Sequence, residues 1–464
     1  MDYIYDQEGC VRKRKLRMFD EVEAVLYYFD GMVDAKIIND HIIMPLQRNP
    51  LAGRDAEQLC SEVIGSSDAQ LYQQFDDIGN LMSLGNIVLF VDGLDQGIVI
   101  EAKSWPLRAV DEPGNERVLH GPREGFNESL LQNLAMVRRR LPGINFKAEF
   151  VKIGQVTKST VCICYMDNCV DYAVLAELRD RLERVVTATT MDTNYIAEQV
   201  KDNPFTPFRT VGNTERPDIV AAKLLEGRVA VLCDGSPTAL TVPYLFMEFF
   251  QSNEDYYVNY RYASFQRLLR ILGFLSTVAL PAFYLALTCF QQDLLPTELA
   301  MTISGARKNV PFPSLVEAVI LMLAFDILRE SGIRSPSNVG QALSVVSSIV
   351  LGQAAIEAGF IGSPILIITA FAGVTSMLVP NLIGVTLIYR YALLIITSIM
   401  GYWGFFAALF SLLLHICSLE SFNISYIAYG YASSQKKTAD TFFRDSWVKL
   451  KTSPVFPIRG EEPR

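Results

Sequence analysis

Two side chains in one apolar run invite a chemical reading. In "SSIVLGQAAIEAGFIGSP", residues 347–364, Gln353 and Glu357 lie one helical turn apart among Ala, Gly, Ile, Leu and Val. A carboxylate near the centre of a lipid-embedded helix costs about 2.5–3.5 kcal/mol even on the permissive insertion scale, so Glu357 must face water or a partner. At about 100° per residue, Ala342, Val346, Ile349, Gln353, Glu357 and Phe360 share one stripe, and Ser344, Ser348, Gly352, Ala355 and Gly359 share another. In a ring of such helices the copies of Glu357 would attract cations, and a collar of Val346 and Ile349 beside Gln353 would close a narrow pore by dewetting. The small stripe suits close helix packing. Two plainer readings stay open: Glu357 reaches the interface from near its helix end, and Val346 and Ile349 pack against lipid or other helices.

No other constellation promises chemistry. The chain has no P-loop, G-x-G-x-x-G, H-E-x-x-H or G-x-S-x-G, and His41, His120 and His415 are dispersed. Cys162, Cys164 and Cys169 form a C-x-C-x4-C cluster on an alternating strand pattern; it lacks a fourth ligand and reads as buried small hydrophobes. Glu317 and Asp326 fall on opposite sides of a helix, so they make neither a catalytic pair nor a shared metal site. The expectation is a protein that is not an enzyme, with no cofactor and no metal.

The elements that position these residues are of two kinds. Half of the 464 residues are hydrophobic and 20% are charged; the charges crowd residues 1–261, and long uncharged runs begin near Leu268. A water-soluble half followed by a half that meets lipid is the natural reading. The formal net charge of -9 argues against nucleic acid, which needs a basic face. The opening "MDYIYDQEGCVRKRKLRMFDE" has no apolar core and no small-residue cleavage site, so it is not a secretory signal. The first half is therefore expected in the cytoplasm, where the eight cysteines need not pair.

In that half, apolar runs ending in Asp-Gly or Asp-Asn recur at Asp30, Asp92, Asp167 and Asp234. The first and third lead into helical patterns, Ala35 to Leu46 and Leu175 to Val185; the second and fourth read as hairpins. The offsets Asp30 to Asp167 and Asp92 to Asp234 are nearly equal, which points to two similar α/β subdomains, although Asp-Gly is also simply common in turns. A helix capped by Asn127 is expected from about Glu128 to Leu141, with Arg138, Arg139 and Arg140 at its C-terminal end, where the macrodipole favours cations. Residues 202–218 form a Pro-rich connector.

The membrane half opens with a span from Leu268 to Phe290 preceded by arginines, which puts its start in the cytoplasm, and Pro281 should kink it. Ser314 to Leu328 is short and charged, hence re-entrant or interfacial. Further spans are expected at Gln341 to Ile361, Ser363 to Pro380 and Tyr391 to Cys417. The basic tail, with Lys436, Lys437, Arg444, Lys449 and Lys451, belongs in the cytoplasm and demands an even number of crossings, read as four.

The segments "GPREGFNESLLQNLAMVRRR", "TERPDIVAAKLLEGRVAVLCDGSP", "LPAFYLAL", "ARKNVPFPSLVEA" and "VLGQAAIEAGFIGSP" resemble, in order, the signatures of spore germinant receptor A subunits, the GerA family of endospore-forming bacteria. The resemblance runs from about Val25 to Phe422. It implies a protein of the spore inner membrane that works with a transporter-like, nutrient-binding B subunit and a lipoprotein C subunit, and that forms a homo-oligomeric ring conducting monovalent cations. The chain departs from the family's pattern at Ser347 and Ser348, where paired glycines are usual, and after "LESF", where it reads "NISYIAYGYASS".

The fold class expected is an α/β N-terminal cytoplasmic domain followed by an α-helical polytopic membrane domain. The divisions are 1–155 for a first α/β subdomain, 156–250 for a second with its linker, 262–418 for the membrane helices and 419–464 for the tail. Arg123 and Glu124 of "HGPREGF" and Glu215, Arg216 and Asp218 of "TERPD" are candidates for intersubunit contact or coupling, against packing and capping. The functional reading is a gated cation pore that triggers germination. A secondary transporter using Glu357, and the paralogous sporulation protein associated with dipicolinate release, are the alternatives.

Overall fold

A computed structural model describes residues 9–19, 21–49, 55–66, 68–103, 113–114, 116, 118, 120–185, 190–333, 350–427, 442–444 and 446. The first half contains two antiparallel five-stranded sheets of one plan. The first holds β1 (Val11–Arg17), β2 (Glu23–Phe29), β3 (Ala69–Tyr72), β4 (Asn86–Val91) and β5 (Gly97–Glu101) in the order β1-β2-β4-β5-β3. The second holds β6 (Phe146–Ile153), β7 (Ser159–Met166), β8 (Gly212–Thr214), β9 (Val229–Cys233) and β10 (Ala239–Val242) in the order β6-β7-β9-β10-β8. Asp30 follows β2 as Asp167 follows β7, and Asp92 follows β4 as Asp234 follows β9, so the two offsets mark equivalent strand ends. β4–β5 and β9–β10 are the two hairpins read from the sequence.

The central strands are apolar throughout because both of their faces are covered. In β4, Ile87, Leu89 and Val91 enter one core, while Val88 points to another. In β9, Val229, Val231 and Cys233 enter a third core, while Ala230 and Leu232 share the core of Val88. That shared core lies between the sheets and is filled by the helix Leu130–Arg140. Cys162 and Cys164 face it and Cys169 does not, as small buried hydrophobes would. Burial raises the Cys162 thiol well above its ordinary range.

Some boundaries change. The division at 155 falls inside the β6–β7 hairpin, because β6 pairs along its whole length with β7, from Phe146↔Met166 to Ile153↔Ser159. The central helix begins at Leu130 with Ser129 as its cap residue; Asn127 Oδ1 instead accepts Ser129 N at 2.9 Å, and Asp234 Oδ1 accepts Leu130 N at 3.2 Å. The basic "VRKRKLR", read only as not a signal, is an edge strand.

Among the described residues of the second half, two segments are long and apolar enough to cross a membrane, Tyr260–Phe290 and Pro380–Ser418. Tyr260–Phe290 is one unbroken helix that includes Pro281. The Ser314 helix runs on to Ile333 and packs beside its neighbours rather than stopping at Leu328. The expected Ser363 to Pro380 span is a helix only over Ser363–Ser376. The expected single span Tyr391 to Cys417 is a hairpin of helices: Ile383–Ser418 reverses at Gly401, whose φ of 64° and ψ of -145° belong to glycine. A Cβ there would also lie 2.9 Å from the Phe290 ring. Tyr389 and His415, about 39 Å apart on a straight helix, bring their ring centroids to 6.4 Å.

Candidate functional site

The helix over 350–357 ends on Gly359, at φ 69°, where Phe360 N donates to Ala355 O at 3.0 Å. Gly352 is buried, and a Cβ there would stand 2.6 Å from Leu366 Cδ1; Ala355 packs half-buried against the bundle core. Gln353 and Glu357 are exposed, with Gln353 Nε2 donating to Glu357 Oε1 at 3.3 Å. The polar pair and the small residues thus occupy different sides, and Gly359 acts as a cap rather than a packing residue. Gln353 and Glu357 also line, with Gly352, a groove whose other walls are apolar: Leu321, Phe325, Leu328, Ile356 and Leu366. Ser344, Val346, Ser348 and Ile349 lie outside the described residues.

Ion pairs set the neighbouring helices around this one. At the end of the bundle away from the sheets, buried Glu317 pairs with Arg307 at 3.2 Å and accepts Gly362 N at 3.1 Å. Two of the recognised segments, "ARKNVPFPSLVEA" and "GFIGSP", therefore meet at one carboxylate. Nearer the sheets, Asp326 pairs with Arg390 and accepts Tyr391 OH at 3.0 Å, while Arg329 donates to Ser376 Oγ at 3.0 Å. Glu317 and Asp326 serve separate clusters, as their opposite faces require. Arg390 was visible as a lone cation in an apolar run, but starting the span at Tyr391 left it outside.

The junction with the second sheet is built from buried charge. Asp255 is fully buried and accepts Arg267 Nε and Arg270 Nη1, each at 2.9 Å, so the arginines before the first span are structural. Glu248 takes Arg228 and, at 3.0 Å, Lys223. Burial alone would raise its carboxyl, but Arg228 and Lys223 hold it below the usual range. Arg216 donates to Asp218 Oδ2 at 2.8 Å and to Pro122 O at 2.8 Å, and Tyr257 OH donates to Asp218 Oδ2 at 2.9 Å. Asp218 is likewise held low: burial pushes it up, and Arg216, Asn253 and Tyr257 together more than reverse that.

A second connection comes from beyond the last helix. Residues Glu420–Ser421 and Ile424–Ser425 pair as a small hairpin that docks on the second sheet, so the segment from 419 is not simply a separate tail. Phe422 enters the core of that sheet beneath the Arg181 guanidinium, 4.4 Å from its ring centroid. Ser421 Oγ donates to Thr210 O at 2.6 Å and accepts Tyr244 N at 3.0 Å. Phe422 and Asn423 have φ of 51° and 62°, a left-handed conformation that costs about 1–2 kcal/mol per residue and persists because these contacts hold it. Sequence reasoning missed this hairpin; its signal was the "LESF" preceding an atypical stretch.

The candidate coupling residues sit close together. Phe126 N donates to Glu215 O at 2.8 Å, joining "HGPREGF" to "TERPD". Glu124 pairs with Arg139 and Arg140, Arg216 is buried, and Arg123 is exposed. The contacts of Glu124, Arg216 and Asp218 tie "HGPREGF", "TERPD" and the start of the first span together within the chain.

A family model described as Bacillus/Clostridium GerA spore germination protein matches residues 3–456. Spore germination protein KA of Bacillus subtilis (strain 168) is 36% identical over 459 residues, covering 98% of this chain and 84% of that protein. The uncharacterized membrane protein YfkQ of the same organism is 34% identical over 458 residues, covering 98% and 89%. Among solved structures, the N-terminal domain of the A subunit of the Bacillus megaterium spore germinant receptor GerK3 is 30% identical, covering 53% of this chain and 92% of that one, with a TM-score of 0.42. The chain belongs to the GerA family of Bacillus/Clostridium spore germination proteins.

Proposed function

We propose that this chain is the A subunit of a spore germinant receptor in the spore inner membrane, and that copies of it form a ring around a gated cation pore. The observation that carries the reading is the exposed Gln353–Glu357 pair on a helix whose other side is packed. Lipid is a poor neighbour for an ionised carboxylate, so water inside a ring is the better one. Val346 and Ile349 remain the proposed gate on the same stripe. The partners are a nutrient-binding B subunit and a lipoprotein C subunit, with the ring conducting monovalent cations.

The path of the chain supports a multi-pass arrangement. It leaves the sheets at Asn259 and returns to them at Leu419, so the helices between make an even number of crossings. With Ser314–Ile333 crossing and Gly401 a turn, six crossings fit better than four. The N-terminal sheets and the tail then share the cytoplasmic side. Opening is driven through the Phe422 hairpin and the Asp255 cluster, which join the second sheet to the last and first spans.

Reversal potentials of the protein reconstituted with its partners test the reading. Glu357→Gln is expected to reduce cation preference while leaving protein levels unchanged. Unchanged reversal potentials would remove Glu357 from the permeation path.

A further inference from the structure

The two sheets differ most at their edges. In the second, edge strand β6 carries Lys147, Glu149 and Lys152, and Glu149 is taken by Tyr165 and Arg179; the other edge, β8, is largely buried. In the first, no strand pairs with the outer side of β1 or of β3 among the described residues. These two open edges carry opposite charge. β1 exposes Arg12, Lys13, Arg14, Lys15 and Arg17, and Arg12 pairs with Asp30. At the other edge, Asp68 precedes β3, Asp76 and Asp77 begin the helix Phe75–Ser83, and Glu57 and Glu62 lie just before; all are exposed, as is Phe75. From Asp55 to Ala102 the sequence holds nine carboxylates and no lysine or arginine.

We infer that β1 of one copy of this chain meets the acidic β3 edge of the next, a head-to-tail contact of the cytoplasmic sheets. Basic residues on an edge strand repel an identical edge, so β1 is built against pairing with β1 and attracted to β3. A contact between two different surfaces of one chain repeats and closes into a ring when the rotation allows. The occupant is therefore a second copy, and the contact adds to the ring proposed above, on which this inference rests.

The test uses the full chain in detergent, with the four cysteines that are not buried, Cys60, Cys169, Cys289 and Cys417, changed to serine so that added thiols can be read. With a short bis-maleimide, K15C/D68C is expected to give a ladder of covalent oligomers, whereas K15C or D68C alone gives none. In parallel, K15E/R17E should weaken association by about tenfold or more at low salt, with D68K/D76K restoring it. Cross-linking by K15C alone would mean that β1 meets β1 and would overturn the inference. So would a K15C/D68C chain that stays uncoupled while the unmodified protein sediments as an oligomer; the ring would then be held elsewhere. If K15C instead links to D6C within one chain, the acidic residues 1–8 occupy β1 and the inference fails. An unmodified protein that sediments as a monomer would remove both the contact and the ring.

Discussion

The first and second sheets follow one strand order, yet among the described residues it is the second that buried charge joins to the membrane helices. In the first sheet, the Arg12–Asp30 pair leaves its side chains 59% and 36% exposed; in the second, Arg228–Glu248 leaves 1% and 6%. A pair in water contributes little, because solvent already satisfies both ions. A buried pair is different: each ion has given up water, so losing one partner strands the other. One backbone plan thus supports two tasks, and burial at its margins decides which sheet can move a helix and which remains free to meet other proteins.

The largest effect should come from breaking the second sheet's hold on the first span. Asp255→Ala leaves Arg267 and Arg270 facing each other without their shared carboxylate. The expected loss is about 3–5 kcal/mol, read by chemical unfolding of the full chain in detergent. A loss below about 1 kcal/mol, in the range of exposed pairs, would mean that the two sheets are held no differently.

Removing the Phe422 ring should come next. Phe→Ala in a packed core costs about 3–5 kcal/mol, and a hairpin held against its own backbone preference sits at the lower end. Phe422→Ala is expected to raise hydrogen exchange in β7 and β9 and in residues 419–426, while β4 and β5 stay protected. Equal loosening of both sheets would show that the hairpin acts on overall stability and not as a link to one sheet.

How much of this was legible in the sequence follows from the range of the interactions. The hairpins β4–β5 and β9–β10 and the duplicated plan were readable, because Asp92-Gly93 and Asp234-Gly235 are local turn chemistry. The different sides of Gly352 and Glu357 were readable because helical periodicity is local too. β1 and β6 were missed: neither alternates cleanly, and each is fixed by a partner strand. The Gly401 turn was hidden because apolar sequence continues through it, and only the Phe290 ring and the Tyr389–His415 approach reveal the reversal. Phe422 was illegible for the same reason, since its core lies more than 180 residues earlier, at β9.

Acid should separate the sheets further. Glu248 is held below the ordinary glutamate range in the folded chain, so it releases its proton more readily there than when unfolded. Its contribution is present above the unfolded pKa and is lost as pH falls through the lower folded value. The stability of the second sheet should therefore fall below about pH 4.5, the ordinary glutamate value, and Glu248→Gln should flatten that limb. An unchanged acid limb in the variant would place the titrating group elsewhere.

The smallest effect asks whether the sheets themselves differ or only their surroundings. Each carries an exposed ion pair of ordinary geometry: Arg12–Asp30 at 2.8 Å in the first and Arg184–Asp180 at 2.6 Å, one helical turn apart, in the second. If burial is what distinguishes the two units, double-mutant cycles at these pairs should give the same small coupling, about 0.2–1 kcal/mol at low salt and less at 1 M, where the Debye length falls to about 3 Å. The cycles belong at protein concentrations where the chain is dissociated, because Arg12 also faces the open edge of β1. The same cycle at Arg216–Asp218, with side chains 1% and 10% exposed, should give several times more and respond less to salt. A large coupling at Arg12–Asp30 would locate part of the first sheet's stability on its basic edge, and the division between a holding sheet and a free one would then have to be redrawn.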